Sequence, residues 1–139
     1  MTIKLEQFLK RISGKQEGGP VQVLYVEENP EDRTVSQYLN AYNDKIECVI
    51  ETSVNTGINR LGLHKFDFVL LDYNLGEDSL EIMLEFLRNR KIPFAVISGV
   101  SLPPVTRRRL SAMSSFCISK DSLSEVPERI LETVCLQTA

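Results

Sequence analysis

Acidic, hydroxyl and ammonium side chains come directly after short apolar stretches at four places in this sequence. These places are Glu27-Glu28, Asp72-Tyr73-Asn74, Ser98-Gly99 and Ser119-Lys120. Clustered carboxylates repel one another unless a cation joins them, and oxygen atoms are the ligands that Mg²⁺ takes in proteins. A carboxylate beside such an ion can attack phosphorus and form an acyl phosphate, while a lysine and a small hydroxyl can bind phosphoryl oxygens. Gathered at one place, these side chains would form a phosphate-accepting aspartate site.

The apolar stretches alternate with helical patterns, and this alternation predicts the elements that must position the polar side chains. Strands are predicted at 21–26, 46–50, 66–71, 93–97 and 116–118. Helices are predicted from Asn29-Pro30 through the stripe Val35, Tyr38, Leu39 and Tyr42, at 53–61, at 79–90, from Pro103-Pro104 to Met113, and after a cap at Asp121 or Ser122. Such alternation predicts a parallel sheet covered on both faces, a doubly wound α/β fold. The carboxyl ends of its strands meet at one edge, where chemistry gathers in such folds.

Length, composition and charge exclude several other classes of protein. The 139 residues correspond to one domain, and 42% hydrophobic with 25% charged residues are ordinary for a soluble globular protein. The net charge of −3 argues against nucleic-acid binding, and no apolar run is long enough to cross a membrane. One histidine and the scattered Cys48, Cys117 and Cys135 support neither a zinc site nor a disulfide framework. Because unpaired cysteines are typical of a reducing compartment, we expect a cytoplasmic protein.

The first twenty residues differ in composition from the rest of the chain. Residues 13–20 have the glycine-rich, polar composition of a linker, and they follow a segment whose apolar residues fall near helical spacing. That amphipathic segment is either a short helix that docks on the domain or on a partner, or a frayed terminus. We therefore divide the chain into an N-terminal segment with its linker at 1–20 and a domain at 21–139.

An acidic pair, an aspartate, a serine and a lysine at successive strand ends resemble the signature of response-regulator receiver domains. These domains are the phosphoacceptors of two-component signalling, and a chemotaxis-type single-domain regulator is the nearest match in size. The likeness covers residues 21–136, and the stretch 72–75 is similar to the family's phosphoacceptor stretch. It implies a flavodoxin-like sheet with strand order 2-1-3-4-5 and five helices.

The resemblance also implies a role for each polar residue at the strand ends. Asp72 would accept the phosphoryl group. Mg²⁺ would be held by three carboxylates and one backbone carbonyl, those of Glu27, Glu28, Asp72 and Asn74. Ser98 would contact the phosphoryl group and report its presence, and Lys120 would pair with the phosphorylated aspartate.

The function that the resemblance implies is that of a response regulator rather than an enzyme. A histidine kinase or phosphotransfer protein would donate the phosphoryl group, and small phosphodonors would react slowly. A downstream protein would bind a switch surface near the fourth helix and fifth strand, where Phe116 and Cys117 lie at or beside the family's switch-aromatic position. Arg107 and Arg108 are either a solvated face or a basic patch for an acidic partner. Whether the chain forms a homodimer stays open.

Departures from the family's pattern support a second hypothesis, a receiver-like interaction module that phosphorylation does not switch. Glu28 stands where the family mostly has Asp, and Mg²⁺ demands near-ideal geometry. The loop after Asp72 is shorter than usual, and Cys117 replaces an aromatic residue while strand alternation turns Phe116 to the opposite face. A third hypothesis is a Mg²⁺-dependent phosphatase or nucleic-acid-cutting enzyme on a related fold, but Asn74 interrupts the Asp-x-Asp that such enzymes often use.

Overall fold

The computed structural model describes residues 19–29 and 31–138, which form a five-stranded parallel sheet in the order β2-β1-β3-β4-β5. The strands are β1 Val21–Val26, β2 Ile46–Glu51, β3 Phe68–Asp72, β4 Phe94–Ser98 and β5 Phe116–Ser119. The α-helices are α1 Thr34–Asn40, α2 Val54–Leu63, α3 Glu77–Asn89, α4 Pro104–Met113 and α5 Val126–Thr138. The predicted doubly wound α/β fold and its strand order are confirmed. The predicted amphipathic segment lies outside the described residues.

Each face of the sheet packs against its own set of helices. Because side chains alternate along a strand, Tyr25 and Leu70 lie in the apolar cluster covered by α1 and α5, while Leu24 and Leu71 lie in the cluster covered by α2, α3 and α4. The central strands are therefore buried on both faces, which is why they are near-continuous apolar runs in the sequence. Within the described ranges, no helix is long and apolar enough to cross a membrane.

The later helices bury the faces that the sequence predicts. The buried residues are Leu80, Met83, Leu84 and Leu87 in α3, and Val126, Ile130, Leu131 and Val134 in α5. The predicted cap at Asp121 or Ser122 is wrong, because Lys120–Glu125 forms a separate 3₁₀ turn that departs from helical geometry at Ser122, and α5 begins only at Val126. The turn starts at the residue after β5, so it places Lys120 directly at the strand end.

The start of α1 also differs from the prediction. The helix begins at Thr34, because the side chains of Asn29 and Asp32 instead accept loop hydrogen bonds, from the backbone amides of Glu31 and Thr34. The predicted first helical residue, Pro30, lies outside the described residues. The loop between β1 and α1 is therefore longer than the sequence suggests, and it keeps Asp32 at the carboxyl edge of the sheet.

Candidate functional site

Asp72 is the last residue of β3, and its side chain is completely buried at the carboxyl edge of the sheet. Its Oδ1 accepts a 2.7 Å hydrogen bond from the backbone amide of Asn74, in the 3₁₀ turn Tyr73–Leu75. This turn leads into α3 through Gly76, whose φ of 96° and ψ of 149° lie where essentially only glycine is found. The loop thus fixes the carboxylate, whose Oδ2 is buried with no hydrogen-bond partner among the described residues.

Glu27 is a second buried carboxylate, directly after β1, and is 4% exposed. Its Oε2 accepts a 2.7 Å hydrogen bond from the hydroxyl of Tyr25, and its Oε1 accepts one of 3.0 Å from the backbone amide of Asn29. Burial and the neighbouring Asp72 raise the pKa of Glu27 to about 7, although the two donors oppose the shift. Two carboxylates this close repel when both are ionised, so the pair favours a proton or a cation between them.

Lys120 brings a positive charge to these carboxylates from the end of β5. Its Nζ lies 3.3 Å from Oδ2 of Asp72 and 2.9 Å from Oδ2 of Asp32. Its aliphatic stem passes over Gly99, where an added Cβ would lie 3.2 Å from Cδ of Lys120. Burial opposes the charged form, but the hydrogen bond to Asp32 and the charges of Asp72 and Asp32 outweigh it, so the pKa of Lys120 is raised. The side chain therefore stays an ammonium ion.

Asp32 also belongs to this site, although the sequence pattern does not predict it there. Its Oδ1 accepts a 3.0 Å hydrogen bond from the backbone amide of Thr34, and its Oδ2 accepts the one from Lys120. The hydrogen bond with Lys120 has the largest effect, and together these interactions lower the pKa of Asp32 to about 2. A helix that begins at Asn29-Pro30, as the sequence predicts, would put Asp32 in its first turn. The helix begins at Thr34 instead, so Asp32 is a loop residue at the strand ends.

Ser98 ends β4 and is 2% exposed, at the edge where the sequence places it. Its Oγ donates a 2.7 Å hydrogen bond to the carbonyl of Val100 and accepts one of 3.2 Å from the amide of the same residue. The hydroxyl proton is therefore directed into its own loop. The predicted contact with a phosphoryl group would require this proton to turn away from Val100.

Two of the predicted metal ligands, Glu27 and Asp72, are buried carboxylates that interact with each other. Glu28 is exposed, and residues 19–29 and 31–138 contain no group of three or more His, Cys, Asp or Glu side chains arranged to hold a metal ion. Glu27 and Asp72 do fit a cation, because their carboxylates interact closely and Oδ2 of Asp72 is buried without a hydrogen-bond partner. The roles predicted for Glu28 and for the carbonyl of Asn74 stay predictions.

The predicted switch residues lie on opposite faces of β5. Phe116 is buried in the cluster under α1 and α5, where its ring stacks on Phe68 with 5.8 Å between centroids. Cys117 is half-buried on the α4 side, where it lines a cavity of about 270 Å³ together with Arg107. Arg108 is exposed. The predicted alternation is confirmed, and it leaves Phe116 on the opposite face from Cys117 and Arg107.

Solved structures of other proteins share the fold of this chain. No family model and no curated protein sequence matches this chain. The signal receiver domain of NarL from Mycobacterium tuberculosis is 19% identical with a TM-score of 0.70, over 84% of this chain and 97% of that chain. A CheY-like receiver domain protein from Methanospirillum hungatei JF-1 is 19% identical with a TM-score of 0.69, over 86% of this chain and 97% of that chain.

A third solved structure is the BeF3-activated N-terminal receiver domain of RstA from Klebsiella pneumoniae. It is 22% identical with a TM-score of 0.67, over 82% of this chain and 97% of that chain. Each of these structures is matched along nearly its whole length, so the likeness extends over the entire sheet and its helices. At such identities the shared property is the fold.

Proposed function

Starting from a chain with the fold of a CheY-like response-regulator receiver domain, we propose that Asp72 accepts a phosphoryl group from a histidine kinase or phosphotransfer protein. One observation carries the proposal. Among the described residues, the buried Oδ2 atom of Asp72 has no hydrogen-bond partner, and it lies 3.3 Å from the ammonium of Lys120. A carboxylate oxygen kept free of hydrogen bonds beside a positive charge is available as a nucleophile, and the charge can then bind the phosphoryl oxygens.

The transfer step forms one bond and breaks another. Oδ2 of Asp72 attacks phosphorus of a phosphohistidine, and the P–N bond of the donor breaks. The electron pair stays on the imidazole nitrogen, which takes up a proton. The product is an acyl phosphate, and attack of water on it returns the carboxylate and releases inorganic phosphate. A phosphoryl group carries about two negative charges at neutral pH, so Lys120 gains a stronger partner than the carboxylate alone.

The surrounding residues have distinct tasks in this proposal. Glu27 and Asp72 would hold Mg²⁺, with the carbonyl of Asn74 and with Glu28 reached through water. When bound, the ion screens the charge of the incoming phosphoryl group. Ser98 would release the carbonyl of Val100 and donate its hydroxyl proton to a phosphoryl oxygen, which couples the modification to an exposed loop.

The output of the protein would be a protein contact rather than catalysis on a separate substrate. Val105, which is 70% exposed, lies on α4 together with the exposed Arg107 and Arg108. Val100, in the loop before α4, is 55% exposed. A downstream partner with an acidic surface would suit this face. The cytoplasmic location expected from the sequence is part of this proposal.

The proposal is tested by incubation with phosphoramidate and Mg²⁺, followed by measurement of the intact mass. We expect an increase of one phosphoryl group in the wild type, none in Asp72→Asn, and an unchanged adduct in the control Asp78→Asn, whose side chain is exposed at the start of α3. An equal adduct in Asp72→Asn contradicts the assignment. If the wild type forms no adduct, the result favours the second candidate, an interaction module that phosphorylation does not switch. The exposed position of Glu28 supports that candidate.

A further inference from the structure

We propose that Asp32 is a positioning residue that competes with the phosphoryl group on Asp72 for the ammonium of Lys120. This inference rests on the proposed function of Asp72. Lys120 must give up a carboxylate partner in order to bind the phosphoryl oxygens. This exchange limits how strongly Lys120 stabilises the phosphorylated site.

The distances place Lys120 closer to Asp32 than to Asp72. Its Nζ donates a hydrogen bond of 2.9 Å to Oδ2 of Asp32, whereas Oδ2 of Asp72 lies at 3.3 Å and accepts no hydrogen bond. A charge-assisted hydrogen bond is about twice as strong as one between neutral groups. In this state the principal partner of Lys120 is therefore Asp32, although Asp72 is the more deeply buried carboxylate.

Asp32 is itself held in place. While one carboxylate oxygen binds Lys120, the other accepts a hydrogen bond from the amide of Thr34 at the start of α1. The side chains of Asp32 and Lys120 are 20% and 24% exposed, so water reaches both and the ion pair can open without unfolding. A fixed carboxylate next to a partly solvated ammonium is an arrangement that permits exchange of partners.

The aliphatic stem of Lys120 lies close to the backbone just beyond β4. It passes over Gly99, where Cδ and Cε of Lys120 lie 3.2 Å and 3.7 Å from the position of an added Cβ. An ammonium has three donors, so Nζ can contact Asp32 and a phosphoryl oxygen together during the exchange. Asp32 therefore weakens the contact of Lys120 with the phosphoryl group without blocking it.

The first experiment measures Lys120 without any phosphate. Asp32→Asn removes the charge but keeps an oxygen that can accept from Thr34, and Asp32→Ser is a second variant that keeps a capping oxygen. Glu31→Gln is the matched control, because it removes an exposed charge from the same loop. We expect the rate of Lys120 acetylation by acetic anhydride at pH 8 to rise at least threefold in both Asp32 variants and to stay unchanged in Glu31→Gln.

The second experiment measures the competition itself with beryllofluoride and Mg²⁺, since beryllofluoride stands in for the phosphoryl group. We expect the dissociation constant for beryllofluoride to fall at least threefold in both Asp32 variants and to stay unchanged in Glu31→Gln. Unchanged or weaker binding in the Asp32 variants overturns the inference, as does Lys120 labelling that matches the wild type. A tenfold loss of Mg²⁺ affinity in Asp32→Asn would make Asp32 a metal ligand and overturn it as well. If the wild type binds no beryllofluoride, the proposed function fails, and the labelling rates alone decide whether Asp32 positions Lys120.

Discussion

Two groups of residues share the carboxyl edge of the sheet, but different interactions hold them. The charged cluster consists of Glu27, Asp32, Asp72 and Lys120, and the serine loop consists of residues 98–103. In the charged cluster, the ammonium of Lys120 lies 2.9 Å from Asp32 and 3.3 Å from Asp72, and a buried oxygen of Asp72 has no hydrogen-bond partner among the described residues. In the serine loop, the hydroxyl of Ser98 both donates to and accepts from Val100.

The charged cluster therefore contains like charges that repel each other, whereas the hydroxyl of Ser98 in the serine loop has its hydrogen bonds satisfied. The raised pKa of Glu27 indicates that the cluster favours an added proton or cation, whereas the hydroxyl of Ser98 is already paired with Val100. A cation beside Asp72 would thus relieve repulsion in the cluster, whereas a phosphoryl group would add negative charge that Lys120 and the cation must balance. Either ligand would disturb the serine loop only if Ser98 changes its partner.

Removal of the ammonium should have the largest effect on stability. Lys120→Met leaves Asp32 and Asp72 without their positive partner, so we expect the free energy of unfolding to fall by about 3 kcal/mol. Urea denaturation measures the loss. Asp72→Asn in the same chain should restore at least half of it, because it removes the buried charge left unpaired. A single variant as stable as the wild type would show that the cluster is not held by Lys120.

The repulsion between Glu27 and Asp72 should appear as a dependence of stability on pH. The pKa of Glu27 is raised from 4.5 to about 7, so the folded protein binds this proton more tightly than the unfolded chain. The resulting stabilisation is complete below about pH 4.5 and is lost as the pH rises through about 7. The stabilisation lost between pH 5 and pH 8 amounts to about 1–3 kcal/mol.

Two variants isolate that contribution from the other carboxylates. Glu27→Gln resembles the protonated side chain, so the pH dependence measured by thermal unfolding should be smaller in this variant by the amount given above. The exposed Glu28 provides the matched control, since Glu28→Gln should keep the dependence of the wild type. Equal curves for Glu27→Gln and the wild type would refute the close interaction of Glu27 with Asp72.

The serine loop should respond weakly and locally. Ser98→Ala removes the two hydrogen bonds to Val100, and we expect a loss of about 1 kcal/mol together with faster hydrogen exchange at the amide of Val100. Ser98→Thr keeps the hydroxyl and should protect that amide. If Ser98→Ala also altered the pH dependence assigned to Glu27, the two regions would not be independent in the unmodified protein.

An ion pair outside both regions should have the smallest effect on stability. Nη2 of Arg109 in α4 donates a 2.8 Å hydrogen bond to Oε2 of Glu81 in α3, and the two side chains are 49% and 46% exposed. Solvent screens such a pair, so Glu81→Gln should change the free energy of unfolding by about 0.5 kcal/mol or less, as measured in urea. A larger effect would mean that α3 and α4 depend on this pair.

The sequence predicts the residues at strand ends better than those in loops. Asp72, Ser98 and Lys120 each follow an apolar run, and the sheet brings the ends of such runs together whatever the details of the helices. Asp32 was not predicted because its role depends on where α1 begins, and side-chain hydrogen bonds within the loop decide that. The contact between Ser98 and Val100 is likewise a property of loop geometry, which no periodicity encodes.

The most direct test of the account is to locate the phosphoryl group itself. The protein is treated with phosphoramidate and Mg²⁺, the acyl phosphate is reduced with borohydride so that the modified aspartate becomes homoserine, and the peptides are sequenced by mass spectrometry. We expect homoserine at position 72 and no reduction product at any other acidic residue. Homoserine at position 32, the corresponding reduced product at position 27, or no modified residue at all would contradict this expectation.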